Sequence, residues 1–456
     1  LLEKDDMFMM KDVLHLRAPG NWINDPNGFI YYKGQYHMFY QYFPYAPVWG
    51  TMHWGHATSR DLIHWEHHRT ALFPTKDYDR NGIFSGSALE LDGELALYYS
   101  AVRYLAADKE NIHAAVDEAF ETSQAMIVSP DGMQFDNWHG KRQIIPVIRD
   151  DATGDSRHTR DPKVWRHNGI YYMALGSTCR DKCSRILFYR SLDGTTWQYF
   201  NQYRNEKYGR VMECPDIFKV DGSYIFTGSA MYILEDGFDC RHHAVCAKAG
   251  FRPDTCELEL PDSYQLVDYG LDFYAPQSNV DADGRRVMIG WMRMPEAVED
   301  RGNGRGIWNG IFSLPRVVEC VDGHVCFRVH PEVDKSFSHM LDDKEAVDHN
   351  KPFRVKAELL EGRRLNVGGY ELWIEDDCLW TDRSTVYPTA GAPRLVNRTP
   401  KLGGRYELDI FVEPNLIEIF VNSGQYVLSN VVYNLKPYIE GEVWELSMMK
   451  GNRHLH

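Results

Sequence analysis

A short turn built around glycine recurs five times in the first two thirds of the chain, between runs in which polar and apolar residues alternate. The turn glycines are Gly34, Gly93, Gly169, Gly222 and Gly284, which lie 59, 76, 53 and 62 residues apart. Asp-Gly and Asn-Gly pairs between alternating residues favour tight hairpins, because the turn residues must adopt positive φ. The sequence therefore predicts five hairpins, spaced 53 to 76 residues apart.

A second pattern, Ser-x-Asp-x-x-x-aromatic, follows three of these hairpins, at Ser59–Trp65, Ser129–Phe135 and Ser191–Trp197. Each unit is long enough for several strands, and the units contain almost no convincing amphipathic helix. Four-stranded units repeated radially form a propeller. The expected fold class is all-β, with a five-bladed β-propeller over roughly residues 12–330.

The repeat ends near residue 335, and other alternating runs follow. Tyr406–Val412 and Leu416–Val421 are two of them, and Asn422-Ser423-Gly424 forms another hairpin turn after the second. These runs predict a separate β-sandwich. We place the propeller at residues 1–332 and the sandwich at residues 333–456.

Charge and cysteine content limit the possible partners and compartments. The formal net charge of -15 disfavours nucleic acid and anionic membranes as partners. No apolar run is long enough to span a membrane, and the first residues show no signal peptide. Removal of a leader before Leu1 stays an open alternative. Nine irregularly spaced cysteines suggest reduced thiols and a cytoplasmic protein.

Three cysteine pairs deserve separate expectations. Cys179 with Cys183, and Cys240 with Cys246, could in principle ligate zinc, but neither has the paired short spacings of a structural zinc site. Cys320 and Cys326 could face each other across a hairpin. We expect no metal in catalysis and no cofactor, although the acidic loop Asp77–Asp79 could hold calcium.

Three acids stand at corresponding places of the repeat. Asp25 lies nine residues before Gly34, Asp161 eight before Gly169, and Glu213 nine before Gly222. The first strand of each propeller blade lines the central axis, so three acids at one repeated position would converge on one funnel. Phe84-Ser85 and Tyr274-Ala275 take this place in the other two blades.

Each acid taken alone has an ordinary explanation. Asp25 could start a turn before Pro26, Asp161 could form an ion pair with Arg160, and Glu213 could be a solvated strand end. Three acids at matching positions favour a shared site instead. Glycoside cleavage uses two carboxyl groups in different environments, one as acid and one ionised, and a third can stabilise the transition state. Position alone leaves their roles and the stereochemistry open.

The motifs around these acids resemble those of glycoside hydrolase family 32, which contains invertases, fructanases and sucrose-6-phosphate hydrolases. Trp22–Gly28 resembles the nucleophile motif of that family, Arg160-Asp161-Pro162 its transition-state-stabilising motif, and Glu213–Asp216 its acid/base motif. Further similar segments are Tyr40–Tyr42, Trp49-Gly50, His53–His56, Phe84–Ser87, Phe273–Gln277, Gly290–Met292 and Ser313–Arg316. The resemblance covers nearly the whole chain, including a C-terminal β-sandwich.

The resemblance implies a retaining mechanism with Asp25 as nucleophile, Asp161 as stabiliser and Glu213 as acid/base. It places the carboxyl groups of Asp25 and Glu213 roughly 5–5.5 Å apart. The implied contacts of the terminal fructose are Asn24, Gln41, Trp49, Phe84, Ser85, Arg160 and Trp291, with Tyr274 as a further contact from the repeat. Arg160 could equally pair with Asp161 and keep that carboxylate ionised.

The chain departs from the family pattern in small ways. Ile23 stands where Met is commoner, and Glu413-Pro414-Asn415 replaces an Asp-rich turn in the sandwich. The alternatives are a fructosyltransferase, an inverting propeller glycosidase of the arabinanase type, and a non-catalytic carbohydrate-binding propeller. The expected substrate is sucrose, sucrose-6-phosphate or a short fructo-oligosaccharide, and the protein is expected to be a monomer or homodimer. Arg157, His158 and Arg180 are candidates for recognising a phosphate.

Overall fold

The computed structural model describes residues 10–233, 242–270, 272–300, 304–388 and 395–450. Its first five sheets are mainly antiparallel and follow one another along the chain, except that residues 298–309 return to the first sheet. In order across the first sheet the strands are Lys11–Val13, His64–His67, His53–Ser59, Gln35–Phe43, Asn21–Tyr32, Gly306–Asn309 and Val298–Asp300. The second sheet contains Ile83–Leu91, Glu94–Tyr104, Phe120–Ser129 and Arg142–Ile145.

The next three sheets repeat this pattern. The third sheet contains Arg160–His167, Ile170–Thr178, Ser184–Ser191 and Gln198–Asn205. The fourth contains Val211–Val220, Ser223–Met231, His242–Arg252, Glu257–Glu259 and Gln265–Leu266. The fifth contains Phe273–Val280, Arg286–Met292, Ile311–Phe312, Arg316–Val321 and His324–Val329.

The first long strands of the five sheets are arranged around a common axis. These inner strands are Asn21–Tyr32, Ile83–Leu91, Arg160–His167, Val211–Val220 and Phe273–Val280, and each contacts the next, with the last contacting the first. A ring of five sheets closed in this way is a five-bladed propeller. The predicted propeller is therefore confirmed.

The glycine turns join each inner strand to the next strand of its blade. In the first four blades the turn has two residues, both with positive φ, as in Asn168 (49°) and Gly169 (81°). This is the geometry that tight hairpins require. The fifth turn, between Val280 and Arg286, is longer.

The Ser-x-Asp pattern connects the third and fourth strands in the first three blades. In the third blade, the Oδ1 of Asp193 accepts hydrogen bonds from the backbone N of Thr195 and Thr196 at 2.7 Å each. Asp61 and Asp131 accept equivalent bonds from the residues two and three positions after them. The pattern is a side-chain-to-backbone turn repeated once per blade.

Two further sheets form the C-terminal sandwich. One contains His339–Met340, Glu445–Met448, Phe353–Glu358, Glu407–Glu413, Leu416–Val421 and Tyr426–Val431. The other contains Val396–Arg398, Cys378–Asp382, Tyr370–Glu375, Arg364–Val367 and Ile439–Glu440. The apolar residues that face the space between the sheets form one buried cluster.

Helical structure in the described residues is slight. A short α-helix, Pro331–Ser336, leads from the last propeller strand towards the sandwich. Single 3-10 turns lie at Asp77–Asp79, Val116–Glu118, Glu206–Tyr208 and Lys344–Ala346. The propeller strands end at Val329 and the sandwich strands begin at His339, and the domain division at residues 332 and 333 stays a prediction.

The propeller and the sandwich share one hydrophobic core. Phe327 of the propeller and Phe420 of the sandwich belong to the same buried cluster. Beside it, the fully buried Arg316 donates from Nη2 to Asp268 Oδ2 at 2.8 Å and to Glu418 Oε2 at 2.7 Å. A buried arginine between two carboxylates fixes how the two units meet, because separating it would leave uncompensated buried charge.

The unusual Glu413 of the sandwich has a role at this junction. It forms ion pairs with His15 and Arg17 from the segment that precedes the first inner strand. Burial would lower the pKa of His15, but the charges of Glu413 and Glu418 and their hydrogen bonds raise it to about 9. The departure from the family pattern therefore supplies a contact between the sandwich and the propeller.

The described cysteines are all free. Cys320 lies opposite Val325 and not Cys326, because the Asp322-Gly323 turn pairs Val321 with His324. The expectation that Cys320 and Cys326 face each other is therefore wrong. Of the two possible zinc pairs, Cys240 lies outside the described residues, and no group of three or more metal-ligating side chains occurs in the described part of the chain.

The acidic loop that could hold calcium is used in protein contacts. Asp79 Oδ2 binds Lys141 Nζ at 2.8 Å, and Asp77 binds Arg80 and Arg103. These cations occupy the carboxylates that calcium would need. Separately, the described residues contain no helix that is long and apolar enough to cross a membrane.

Candidate active site

Each inner strand has a bulge at the same place near its start. At each bulge the inner strand advances by three residues while the paired strand advances by two. This occurs between Ile23 and Pro26 in the first blade and between Arg160 and Lys163 in the third. The bulges of the other blades lie between Ile83 and Gly86, Glu213 and Asp216, and Tyr274 and Gln277. A bulge bends a strand and redirects its side chains, and bulges are frequent beside active sites.

The three acids occupy successive positions of this bulge. Glu213 is the last paired residue before its bulge, Asp161 is the first residue inside, and Asp25 is the second. The expectation of one identical repeat position is therefore wrong by one or two residues. For Asp25 the count was misleading because a second bulge, between Asn27 and Ile30, adds a residue to the first inner strand.

Asp25 is held by short contacts from its own blade and the next. Ser85 donates from Oγ to Asp25 Oδ2 at 2.5 Å, and Asn24 donates from Nδ2 to Asp25 Oδ1 at 3.1 Å. Trp22 Nε1 in turn donates to Asn24 Oδ1 at 2.8 Å. Burial raises the pKa of Asp25 to about 6, against the lowering effect of the Ser85 hydrogen bond and with a further rise from the charge of Glu213.

Asp161 has positive φ (64°) inside its bulge. Its Oδ2 accepts a hydrogen bond from the backbone N of Cys214 at 2.9 Å, and its own N donates to Ser100 Oγ at 2.8 Å. Burial raises the pKa of Asp161 to about 7, because the charge of Arg160 offsets only part of it and the charges of Glu213 and Asp25 add to it.

Glu213 has the strongest cationic partner of the three acids. Arg160 donates to Glu213 Oε1 from Nη2 at 2.8 Å and from Nε at 3.2 Å, while Tyr274 OH donates to Oε2 at 2.6 Å. Burial alone would raise the pKa of Glu213, but the charge of Arg160 and these hydrogen bonds outweigh it and lower the pKa. Arg160 thus pairs with Glu213, and the direct ion pair between Arg160 and Asp161 considered from the sequence is not formed.

The three carboxyl groups form one electrostatic unit. Cys214 Sγ links two of them, at 3.8 Å from Asp25 Oδ2 and 3.6 Å from Asp161 Oδ2. One guanidinium cannot neutralise three neighbouring carboxylates, so the charge of Glu213 contributes to the raised pKa of Asp25 and of Asp161. Such a group can hold one acid ionised and keep another protonated, which acid/base chemistry needs.

Several aromatic side chains lie next to the residues that contact the acids. Trp49 is 43% exposed and its ring packs edge-on against Phe84, with ring centroids 6.1 Å apart. Trp291 packs against Trp22 at 5.9 Å and contacts Tyr274. Aromatic faces with nearby polar groups suit a sugar ring.

The predicted site residues divide into those that touch the acids and those that contact these first residues. Asn24, Ser85, Arg160 and Tyr274 bind a carboxylate directly. Trp49 packs against Phe84, the neighbour of Ser85, and Trp291 pairs with Tyr274 across adjacent strands. Gln41 is buried, and its Nε2 donates to the backbone O of Ile83 at 2.9 Å, at the edge of the bulge that carries Phe84 and Ser85.

Sequence reasoning missed several supporting residues. Cys214 was visible inside a quoted motif but was not assigned a role, although its N and Sγ both contact Asp161. Ser100 lies on the second strand of its blade, where no motif points to it. Below the site, Lys163 Nζ pairs with Asp216 Oδ2 at 3.1 Å and joins two inner strands. Asp216 ends the Glu213–Asp216 motif and Lys163 directly follows Pro162, and this was the available signal.

Known proteins with similar sequences belong to one family. A family profile described as "Glycosyl hydrolases family 32 N-terminal domain" matches residues 15–331. A sucrose-6-phosphate hydrolase of Escherichia coli is 31% identical over 92% of this chain and 88% of its own length. A raffinose invertase of Escherichia coli is 30% identical over 92% of this chain and 89% of its own length.

A solved structure has the same fold. It is a mutant of a family 32 β-fructofuranosidase from Bombyx mori in complex with sucrose, with a TM-score of 0.78 and 26% identity, covering 96% of this chain and 92% of that one. The family profile covers well over half of the chain, and the relatives align with both the propeller and the sandwich. The chain therefore belongs to glycosyl hydrolase family 32 and is a hydrolase of glycosidic bonds.

Proposed function

We propose that this protein is a retaining β-fructofuranosidase that releases the terminal fructosyl unit of sucrose, sucrose-6-phosphate or a short fructo-oligosaccharide. The observation that carries the proposal is a group of three carboxyl groups, one buried and two half-buried, with different partners near the starts of three inner strands. The names of the E. coli relatives and the sucrose complex of the B. mori enzyme support the substrate class.

Asp25 is proposed as the nucleophile. Ser85 and Asn24 each bind one of its oxygens, so its carboxyl plane is fixed before the substrate arrives. A fixed nucleophile avoids the entropic cost of orienting it during the reaction. Attack would form a fructosyl ester on Asp25, and water would then hydrolyse it. The retaining reaction requires a separation from Glu213 of roughly 5–5.5 Å.

Glu213 is proposed as the acid that protonates the leaving oxygen and then as the base that activates water. In the ligand-free site the pairing with Arg160 lowers the pKa of Glu213, which opposes the first of these roles. Arg160 is also an expected contact of the fructose hydroxyls. Engagement of Arg160 by the sugar would weaken its pair with Glu213, so the pKa of Glu213 would rise and favour the protonated acid.

Asp161 is proposed to stabilise the transition state by contacts to fructose hydroxyls. Its contact with the Cys214 backbone leaves Oδ1 for the sugar. Asn24, Gln41, Trp49, Phe84, Ser85, Tyr274 and Trp291 complete the proposed pocket. The free cysteines support a reducing, cytoplasmic location as part of the same proposal. Fructosyl transfer stays the alternative, since it needs only a sugar acceptor in place of water.

The stereochemistry of the first product tests the proposal. We expect proton NMR of a fresh reaction with sucrose to show β-fructofuranose before it equilibrates, because two displacements at one carbon restore its configuration. Arabinan serves as the control substrate and should not be cleaved. Release of the α anomer, or cleavage of arabinan in preference to sucrose, would contradict the proposal.

The pH dependence of kcat/KM should reflect Asp25. Because its pKa is raised to about 6, the protonated fraction of Asp25 grows as the pH falls through that value, and kcat/KM should decline below it. Ser85→Ala removes a hydrogen bond that favours the ionised form, so the acid limb should move to higher pH. A limb that stays in place in Ser85→Ala would show that another group controls it.

A further inference from the structure

A row of alternating basic and aromatic side chains runs along the rim of the site. The guanidinium of Arg210 lies over the ring of Tyr232 at 5.6 Å, and the Tyr232 and His242 rings are 5.0 Å apart. The His242 ring lies 6.5 Å from that of Tyr274, and Arg293 covers the Tyr274 ring at 5.0 Å. We call these five residues the cationic rim.

The cationic rim lies on the side of the site that contains Glu213. Tyr274, its fourth member, donates its hydroxyl to Glu213 Oε2 at 2.6 Å. Met231, which precedes Tyr232, has its Sδ 3.6 Å from Arg160 Nη2. An acid must lie beside the oxygen that it protonates, so under the proposed function the part of this rim beyond Tyr274 borders the leaving-group sugar.

Arg210 differs from the other basic residues considered from the sequence. Arg180 pairs with Asp151, Arg157 lies 3.8 Å from Glu118, and His158 accepts a hydrogen bond from Arg160. Arg210 is exposed and forms no ion pair within the described residues. Its place is fixed by the aromatic ring beneath it and by its backbone O, which accepts from Thr178 Oγ1 at 2.6 Å.

The position of Arg210 beside the site distinguishes it, because exposed guanidinium groups also lie over aromatic rings elsewhere, as Arg166 does over Tyr171 at 5.2 Å. The chain carries a net charge of -15 and the site itself contains three carboxyl groups, so a uniformly acidic pocket would repel an anion. A guanidinium held on an aromatic face presents its N–H fork in a fixed direction, which suits the bidentate binding of a phosphate.

We propose that Arg210, supported by Tyr232 and flanked by His242, binds a phosphomonoester on the leaving-group sugar, so that the preferred substrate is a phosphorylated disaccharide. This inference rests on the proposed function, because it uses Glu213 to define the leaving-group side. It assigns the phosphate contact to Arg210 in place of the sequence candidates Arg157, His158 and Arg180. Free inorganic phosphate offers the same chemistry and is tested separately.

The test is a comparison of kcat/KM on sucrose-6-phosphate and on sucrose. We expect the wild-type protein to favour sucrose-6-phosphate, and Arg210→Gln to lower the ratio of the two values by about 10- to 100-fold, the range for a hydrogen bond to a charged group. Arg180→Gln is the matched control, because Arg180 lies two residues after Thr178, which binds the Arg210 backbone, but already pairs with Asp151. Its ratio should equal that of the wild type.

The outcomes separate the two proposals. If the wild type hydrolyses neither substrate, the proposed function fails. If it hydrolyses both with equal kcat/KM, or if Arg210→Gln lowers both values equally, the proposed function stands and the phosphate contact is refuted. Inhibition of sucrose hydrolysis by inorganic phosphate without any preference for sucrose-6-phosphate would likewise refute a phosphorylated substrate and assign the rim to the free ion.

Discussion

Asp25→Asn should lower kcat on sucrose by about 10⁴-fold or more, the scale seen when a covalent nucleophile is removed. The amide has nearly the same shape as the carboxylate but cannot form the fructosyl ester. The loss should appear in kcat because the contacts of the sugar with Gln41, Trp49 and Trp291 remain. Initial rates over a range of sucrose concentrations measure it.

Stability supplies the control for this variant. Burial raises the pKa of Asp25, so the native state bears a cost when that group is ionised at neutral pH. A neutral amide avoids this cost, and we expect the unfolding free energy of Asp25→Asn to equal or exceed that of the wild type. A variant that is folded but retains more than about one part in a hundred of the wild-type kcat would contradict the nucleophile assignment.

Glu213→Ala should lower kcat/KM on sucrose by about 10²- to 10⁴-fold, the usual contribution of a general acid. The size of the loss should depend on the leaving group. In an aryl fructoside with an acidic phenol, the phenolate can leave without protonation. The first step on that substrate should therefore be far less affected. Added azide, which needs no general base, should restore turnover of the aryl substrate and give fructosyl azide with the configuration of the substrate.

Tyr274→Phe is the matched comparison for Glu213. It removes only the hydroxyl that donates to Glu213 Oε2 at 2.6 Å and keeps the ring under Arg293. Its loss on sucrose should be much smaller than that of Glu213→Ala and should not be rescued by azide. Equal losses of Glu213→Ala on sucrose and on the aryl fructoside would contradict the acid/base assignment.

Much of the architecture was predictable because it depends on local chemistry. Turns such as Asn168-Gly169 require positive φ, and Asp193 accepts hydrogen bonds from the residues that follow it, whatever surrounds them. These short-range requirements repeat along the chain, so the number of blades follows from counting them. The identity of the three acids followed from the same count together with the resemblance to family 32.

The exact placement of the acids was not predictable in this way. The bulges that separate Asp25, Asp161 and Glu213 into three successive positions depend on how each inner strand pairs with its neighbour, and a spacing to a glycine does not record an inserted residue. Cys214 contacts two acids only because bulges from different blades converge. Cys320 and Cys326 show the same limit, since the register of one turn decides that they do not face each other.

The sequence by itself determined that this protein is a five-bladed propeller with a trailing sandwich, and that Asp25, Asp161 and Glu213 stand at the entry of three inner strands. Tertiary structure alone decided which charges pair. Arg160 follows His158 and Thr159 and precedes Asp161 in the chain, yet it binds Glu213, which is 53 residues away in sequence. Glu413 similarly reaches His15 and Arg17 across the junction of the two units. Ion pairs act through space, so the partner is set by which blades the closed ring brings together and not by distance along the chain.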